Sequence, residues 1–166
     1  MQKIVLFALA LFLFFGITPG WAQDDIHAHP SCSYCGMDRA KFAHSRMYIE
    51  YDDGSMLGAC SMHCAALDMA VNINKAPVHI SVGDQGTKVL IDAQTAFWVL
   101  GGDLPGVMSM RATWAFKIQA DAQKFIQQHG GDAVSFEQAL EAVYAHMYQD
   151  TKMIRKKRQM MKMKNQ

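Results

Sequence analysis

Residues 32–64 read CSYCGMDRAKFAHSRMYIEYDDGSMLGACSMHC, and this stretch contains all four cysteines of the 166-residue chain. It opens on a Cys-x-x-Cys-Gly-Met motif and closes on a Cys-x-x-x-Cys motif that encloses a methionine and a histidine. Soft donors of this kind select Cu(I) or Zn(II), or support thiol redox chemistry. The stretch therefore predicts a soft-metal or thiol function, for which the rest of the chain is the scaffold.

A β-hairpin and a helix are predicted between and after the two motifs. Residues 44–51 alternate well enough to form a strand, and the Asp-Gly pair in residues 52–55 is typical of a tight turn before a return strand over residues 56–59. Ser61 suits a helix N-cap, with the helix ending near Asn72, and a strand rich in β-branched residues follows. Together these elements form one β-β-α-β unit over residues 32–82.

A second unit of similar order is predicted over residues 86–136. Strands are predicted over residues 87–91 and 96–100. An insertion over residues 101–113 separates them from an extra strand (114–118), a helix (120–128) and a short last strand (133–135). The glycines at 130 and 131 suit a left-handed helix C-cap. The repeated order predicts an internal duplication and hence an α+β fold, in which two small β-β-α-β units pack together.

The C-terminal part is predicted to be a helix followed by a basic, methionine-rich tail. Ser135 and Gln138 have the spacing of a capping box, and apolar residues from Phe136 to Met147 fall on one helical face. All 15 acidic residues lie before residue 151, whereas residues 151–166 carry 7 of the 16 basic residues. Such a tail can fold on the acidic body, touch an anionic membrane surface or engage a partner, and no nucleic-acid partner is expected. Residues 156–166 are predicted to be mobile.

The N-terminal 22 residues are predicted to be a secretory signal peptide. An early lysine precedes a short apolar run, and small residues precede the expected cleavage after Ala22. The sequence thus predicts export to the periplasm. Because no cysteine directly follows the apolar run, no lipid anchor is expected. Residues 23–31 are polar and predict a flexible arm, and residues 32–150 are predicted to be the folded domain.

The cysteine motifs alone allow three kinds of chemistry. A zinc site would take two thiolates from each motif. A dithiol redox pair would be expected at a helix N-terminus, whereas a glycine and then a strand follow Cys35. Cu(I) also takes thioether ligands, which are abundant here because the chain has 13 methionines.

The candidate ligands are soft donors in or next to the motifs and in the Gly/Pro-flanked loop that holds Met108 and Met110. His63 is included because it lies between two thiols at a predicted helix start. The candidate metal ligands are Cys32, Cys35, Met37, Cys60, Met62, His63, Cys64 and Met110.

Several of these motifs resemble, in combination, the NosL family. They span about residues 30–141 and comprise the Cys32–Met37 motif, the Asp53-Gly54 turn, the Cys60 junction, the Met110 loop with Trp114-Ala115-Phe116, and His129-Gly130-Gly131 before Ser135-Phe136. NosL proteins are accessory Cu(I)-binding proteins for the assembly of nitrous-oxide reductase in the periplasm. The resemblance implies a pair of β-β-α-β units, similar in architecture to the metal-thiol lyase MerB.

The resemblance also implies Cu(I) binding at Cys35, Met37 and Met110, and delivery of the metal without catalytic turnover. The expected function is therefore that of a periplasmic Cu(I) metallochaperone and not of an enzyme. Its expected partners are an exported copper enzyme, foremost nitrous-oxide reductase, and a copper donor or membrane assembly complex. The alternatives are a periplasmic thiol-disulfide oxidoreductase and a zinc-stabilised binding module.

Overall fold

The computed structural model describes residues 24–164, so the predicted signal peptide lies outside the described residues. This part of the chain has an α+β fold with two antiparallel sheets, as predicted. The elements are α1 (Asp24–Ala28), β1 (Met47–Tyr51), β2 (Met56–Ala59), α2 (Met62–Val71), β3 (Pro77–Gly83), β4 (Leu90–Asp92), β5 (Phe97–Leu100), β6 (Thr113–Phe116), α3 (Gln119–His129), β7 (Asp132–Val134) and α4 (Phe136–Lys164). Within this range, no helix combines the length and the apolar character that a membrane span requires.

The first sheet has the order β2-β1-β3-β4, and all its neighbours are antiparallel. Met47 pairs with Ala59 at the open end of the β1-β2 hairpin, and Gly54 takes a φ of 78° in the turn. The predicted hairpin is therefore confirmed. Helix α2 starts after Ser61, also as predicted, although the serine side chain makes no capping hydrogen bond.

The second sheet has the order β6-β5-β7 and repeats the arrangement of β1, β2 and β3. In each unit the first strand lies in the middle, with the second and the last strand on either side. One prediction was wrong here: the strand expected over residues 87–91 is β4, which pairs with β3 in the first sheet. The predicted extra strand is β6, the hairpin partner of β5. Local sequence predicts a strand but not the sheet that it joins.

Two groups of buried side chains form the core. The larger group includes residues from β1, α2, β5 and α4, and it contains three of the four cysteines. The smaller group is aromatic: the Phe125 ring lies 5.3 Å from the Trp114 ring and 5.2 Å from the Phe116 ring. Helix α4 contacts both α2 and β5, so it joins the two units above the cysteines.

The segment before the first cysteine is anchored and not the flexible arm that its polar sequence predicts. Residues 24–28 form α1, and the buried Asp25 carboxylate accepts hydrogen bonds from Arg39 at 2.7 Å and from Arg46 at 2.9 Å. Arg39 also donates to backbone carbonyls at the start of β1 and the end of β2. The prediction failed because both partners of Asp25 lie more than ten residues further along the chain.

The last helix is longer than predicted. Its capping box is confirmed, because the Ser135 N–H donates to Gln138 Oε1 at 2.9 Å and the Gln138 N–H donates to Ser135 Oγ at 3.2 Å. The segment expected to be mobile from residue 156 is helical as far as Lys164. Arg158 donates to the backbone carbonyl of Cys35 at 3.1 Å, so this part of the helix lies beside the cysteine motif.

We expect Asp25→Asn to lower the free energy of unfolding by about 3–5 kcal/mol, the usual cost of removing one partner of a buried ion pair. The substitution keeps the size of the side chain but leaves two buried arginines without the negative charge between them. Urea unfolding followed by circular dichroism measures the change. Asp24→Asn, on the exposed neighbouring residue, is the control and should change little. Equal unfolding midpoints for the two variants would contradict this account of the anchor.

Candidate metal centre

The structure brings the two cysteine motifs together into one site. The four Sγ atoms all lie within 4.8 Å of one another. The Cys35 and Cys60 sulfurs are 3.4 Å apart, and those of Cys60 and Cys64 are 3.9 Å apart. All four thiols are free; Cys35 is half-buried, and Cys32, Cys60 and Cys64 are buried. The site is therefore a closed cluster with one partly accessible member.

A tight loop positions the first pair of thiols. The Cys32 N–H donates to the carbonyl of Met37 at 2.8 Å, and the Gly36 N–H donates to the carbonyl of Cys32 at 2.9 Å. Gly36 has a φ of 73°, which a side chain would make costly. The Ser33 N–H donates to the carbonyl of Gly58 at 3.1 Å and holds the loop against β2.

The second pair lies at the junction between β2 and α2. Cys60 directly follows the last residue of β2, and Cys64 lies in the first turn of α2. The Cys60 carbonyl accepts a hydrogen bond from Ser45 Oγ at 2.9 Å, which fixes the junction from the side of the preceding loop. The change from strand to helix at this junction, which the sequence predicts, directs the Cys60 and Cys64 side chains toward the Cys32–Cys35 loop.

Hydrogen bonds among the thiols divide them into acidic and weakly acidic members. Contacts with Cys35, Cys60 and Cys64 lower the pKa of Cys32. The contact with Cys32 raises the pKa of Cys35, but the contacts with Cys60 and Cys64 together outweigh it, and the pKa falls to about 7. The pKa values of Cys60 and Cys64 are raised, mainly by their contacts with Cys32 and Cys35. A metal that binds all four sulfurs must displace the protons of the last two.

His63, another predicted ligand, is buried at the start of α2 but turns toward α4. Its Nδ1 atom lies 3.7 Å from Asp150 Oδ2 and, among the described residues, has no hydrogen-bond partner. Desolvation lowers the pKa of His63, which favours the neutral imidazole. The other oxygen of Asp150 accepts from the Met110 N–H at 2.7 Å. Asp150 thus connects α4 to the Met110 loop.

The predicted methionine ligands separate into three environments. Met37 is partly buried against the cysteine cluster, and Met62 is fully buried in the core beside it. The Met110 side chain is 68% exposed, and the hydrogen bond of this residue to α4 comes from its backbone. Met108, two residues earlier, has a φ of 62° and packs against the core that holds the cysteines. From this loop, the structure thus brings Met108 and not Met110 to the site.

A cavity of about 750 Å³ opens beside Cys35. The Cys35 loop, the insertion between β5 and β6, and α4 surround it. It is lined by donors that suit soft metals, namely Cys35, Met37, His44, Met108, Met153 and Met161. Sequence reasoning missed His44, Met153 and Met161 as site residues. The signal for the two methionines was their i, i+8 spacing, which places them on one face of a helix.

Comparison with known proteins supports the predicted family resemblance. The NosL family model matches residues 23–144. The crystal structure of the copper chaperone NosL from Shewanella denitrificans has a similar fold, with a TM-score of 0.54. It is 21% identical, and the alignment covers 64% of this chain and 87% of that chain. A search of curated proteins found no match.

We expect Cys35 to be the first cysteine alkylated in the folded, reduced and metal-free protein, because its side chain alone of the four is not buried. A short iodoacetamide pulse followed by peptide mass spectrometry gives the labelled fraction of each cysteine. The same pulse in concentrated urea, where all four should react, is the control. First labelling of Cys32, Cys60 or Cys64 in the native protein would contradict the arrangement.

Proposed function

The chain belongs to the NosL family, and on that premise we propose that it is a metallochaperone that binds Cu(I) and delivers it to an exported copper enzyme, with nitrous-oxide reductase as the client. The observation that carries the proposal is the cluster of four thiols within 4.8 Å, of which one borders a cavity lined by methionines. The similar fold of a protein described as a copper chaperone agrees with it. Copper is the cargo here, and no reaction is catalysed.

The donor set favours Cu(I) among the metals that thiolates bind. Zn(II) sites in proteins use thiolate, imidazole and carboxylate ligands, whereas Cu(I) also accepts thioethers. Met37 lies beside the cluster, and Met108 shares the cavity with Cys35. His44 in the same cavity is an additional donor, since burial lowers its pKa and favours the neutral ring.

Delivery requires a ligand that a partner can replace, and Cys35 is placed for that step. Cys32, Cys60 and Cys64 are shielded by the core, so an incoming donor meets Cys35 first. Replacement of one sulfur ligand by another transfers the ion without a change in its oxidation state. The buried thiols retain the ion until enough partner ligands have bound.

The periplasmic location and the partners are part of the proposal. The signal-peptide pattern of residues 1–22 supports export. In this proposal the carrier is loaded by a copper donor or a membrane assembly complex. The exposed basic residues on the C-terminal half of α4 offer a charged surface to such a partner or to an anionic membrane.

A zinc-stabilised binding module is the second candidate. Tetrahedral zinc with Zn–S bonds of about 2.3 Å places its sulfurs about 3.8 Å apart, and the cluster has Sγ separations of 3.4 and 3.9 Å. A structural zinc site would use all four thiolates and none of the thioethers, however, whereas Cys35 borders a cavity lined by methionines. The oxidoreductase alternative gains no support, because the Cys32–Cys35 loop is a turn and not the start of a helix.

We expect the reduced protein to bind Cu(I) far more tightly than Zn(II). Anaerobic competition with a Cu(I)-specific chromophoric chelator, beside the same titration with a zinc chelator, gives the two affinities. Excess Cu(I) should displace zinc, and removal of zinc by EDTA should leave the melting temperature unchanged. Zinc that resists Cu(I), together with unfolding after EDTA treatment, would establish the zinc-stabilised module instead.

We expect Met108→Leu to weaken Cu(I) binding more than Met110→Leu, because only Met108 lines the cavity with Cys35. Leucine is close in volume to methionine, so the melting temperature of the metal-free protein should change little. Chelator competition on both variants gives the comparison. A larger loss of affinity for Met110→Leu would assign the metal ligand of this loop to Met110, as the family motif implies.

A further inference from the structure

The C-terminal half of α4 places one face against the cavity. The family match ends at residue 144, so this half of the helix lies beyond it. Its cavity-lining residues are Met153, Ile154, Lys157, Arg158 and Met161. Their spacing of three and four residues is that of a single helical face, whereas the neighbouring Met160 and Met163 do not line the cavity.

Two contacts hold this face in position. At one end, the buried Asp150 carboxylate accepts the hydrogen bond from the Met110 N–H at 2.7 Å. Two turns later, Arg158 donates to the carbonyl of Cys35 at 3.1 Å. The helix therefore spans the cavity from the Met110 loop to the cysteine loop, and the methionines between and beside these contacts face the same space.

The methionines at the cavity come from three separate parts of the chain. Met37 belongs to the cysteine loop, Met108 to the insertion, and Met153 and Met161 to α4. Met37 and Met108 pack against the core, and all four methionines also border an open volume of about 750 Å³. Their thioether sulfurs are therefore accessible to a soft metal ion. Because a thioether carries no charge, it can lie among the apolar side chains of the cavity without a large desolvation cost.

Charges around the cavity favour a weakly held monovalent ion. Lys88, Lys157 and Arg158 also line it, and they repel hydrated divalent cations more strongly than a monovalent one. Arg158 brings one of these charges next to Cys35, because it donates to the Cys35 carbonyl at 3.1 Å. Neutral thioethers near these positive charges bind Cu(I) more weakly than the thiolates do. Weak binding is required of a site that the ion occupies only during transfer.

We propose that the cavity is a second Cu(I)-binding position, in which thioethers of Met37, Met108, Met153 and Met161 hold the ion between Cys35 and the surface. This inference rests on the proposed Cu(I) function of the thiol cluster and adds a site that includes the C-terminal helix. The ion moves by ligand exchange, sulfur for sulfur, and stays Cu(I).

Methionine-methyl NMR under anaerobic conditions tests the proposal. Full-length mature protein with ¹³C-labelled methionine methyl groups is titrated with up to two equivalents of Cu(I), and single Met→Leu variants assign the signals. The signals of Met153 and Met161 should shift during the second equivalent. Those of Met160 and Met163, which lie on the same helix but do not line the cavity, are the internal control and should not shift. Equal responses of the two pairs would overturn the second site.

A matched pair of double variants gives an independent readout. Met153→Leu with Met161→Leu should lose the second Cu(I) equivalent and keep the first, whereas Met160→Leu with Met163→Leu should keep both. Retention of both equivalents by the first variant refutes the site. If the thiols prefer zinc but the Met153 and Met161 signals still respond to Cu(I), the proposed chaperone function fails and the cavity site stands on its own.

Discussion

The buried carboxylate of Asp25, held between Arg39 and Arg46, is the interaction on which the cysteine site depends. Removing three charged groups from water is costly, and burial of this kind persists only where the hydrogen-bonding groups are satisfied. The two guanidinium groups also donate to main-chain carbonyls in α1, β1, β2 and the segment before β4. One ionic centre thus joins the N-terminal helix to the hairpin and to the end of the first sheet, around the loop that holds the first two thiols.

Protein contacts hold the cysteine loop in place. The cysteine loop lies between α1 and Arg39, and its ends pair through Ser31 and Asp38 and through Pro30 and Arg39. In a zinc finger the binding energy of the metal is also the folding energy, so the loaded state cannot release its ion and stay folded. Here the aromatic core contains no cysteine, and the ion pairs of Asp25 hold the loop from outside the site. This arrangement suits the proposed carrier function, which requires release of the ion without unfolding.

Prediction from sequence succeeded for elements that depend on neighbouring residues and failed for those whose structure depends on contacts with residues far along the chain. The Asp53-Gly54 turn and the Ser135–Gln138 capping box involve residues within three positions of each other, and the structure contains both. The pairing of Asp25 with Arg46 spans 21 positions, so the polar arm gave no sign that it would be buried. The residue types of the candidate ligands were predicted, but not which of the two methionines Met108 and Met110 lines the cavity. Met108 lines the cavity and has a φ of 62°, a conformation that is uncommon for residues other than glycine and that its sequence does not predict.

The contacts of α4 over the site are strongest in the middle of the helix and weaker toward its end. Asp150 is buried and holds the middle of the helix, whereas Arg158 makes an exposed hydrogen bond to the Cys35 carbonyl, worth about 1 kcal/mol. Met161 is 59% exposed, so its contact removes little apolar surface from water. The burial of the helix therefore decreases along its length, from the buried Asp150 to the exposed residues of its last two turns. In the proposed delivery step, a partner that displaces these last turns meets Cys35 first, because the three inner thiols are covered by the core.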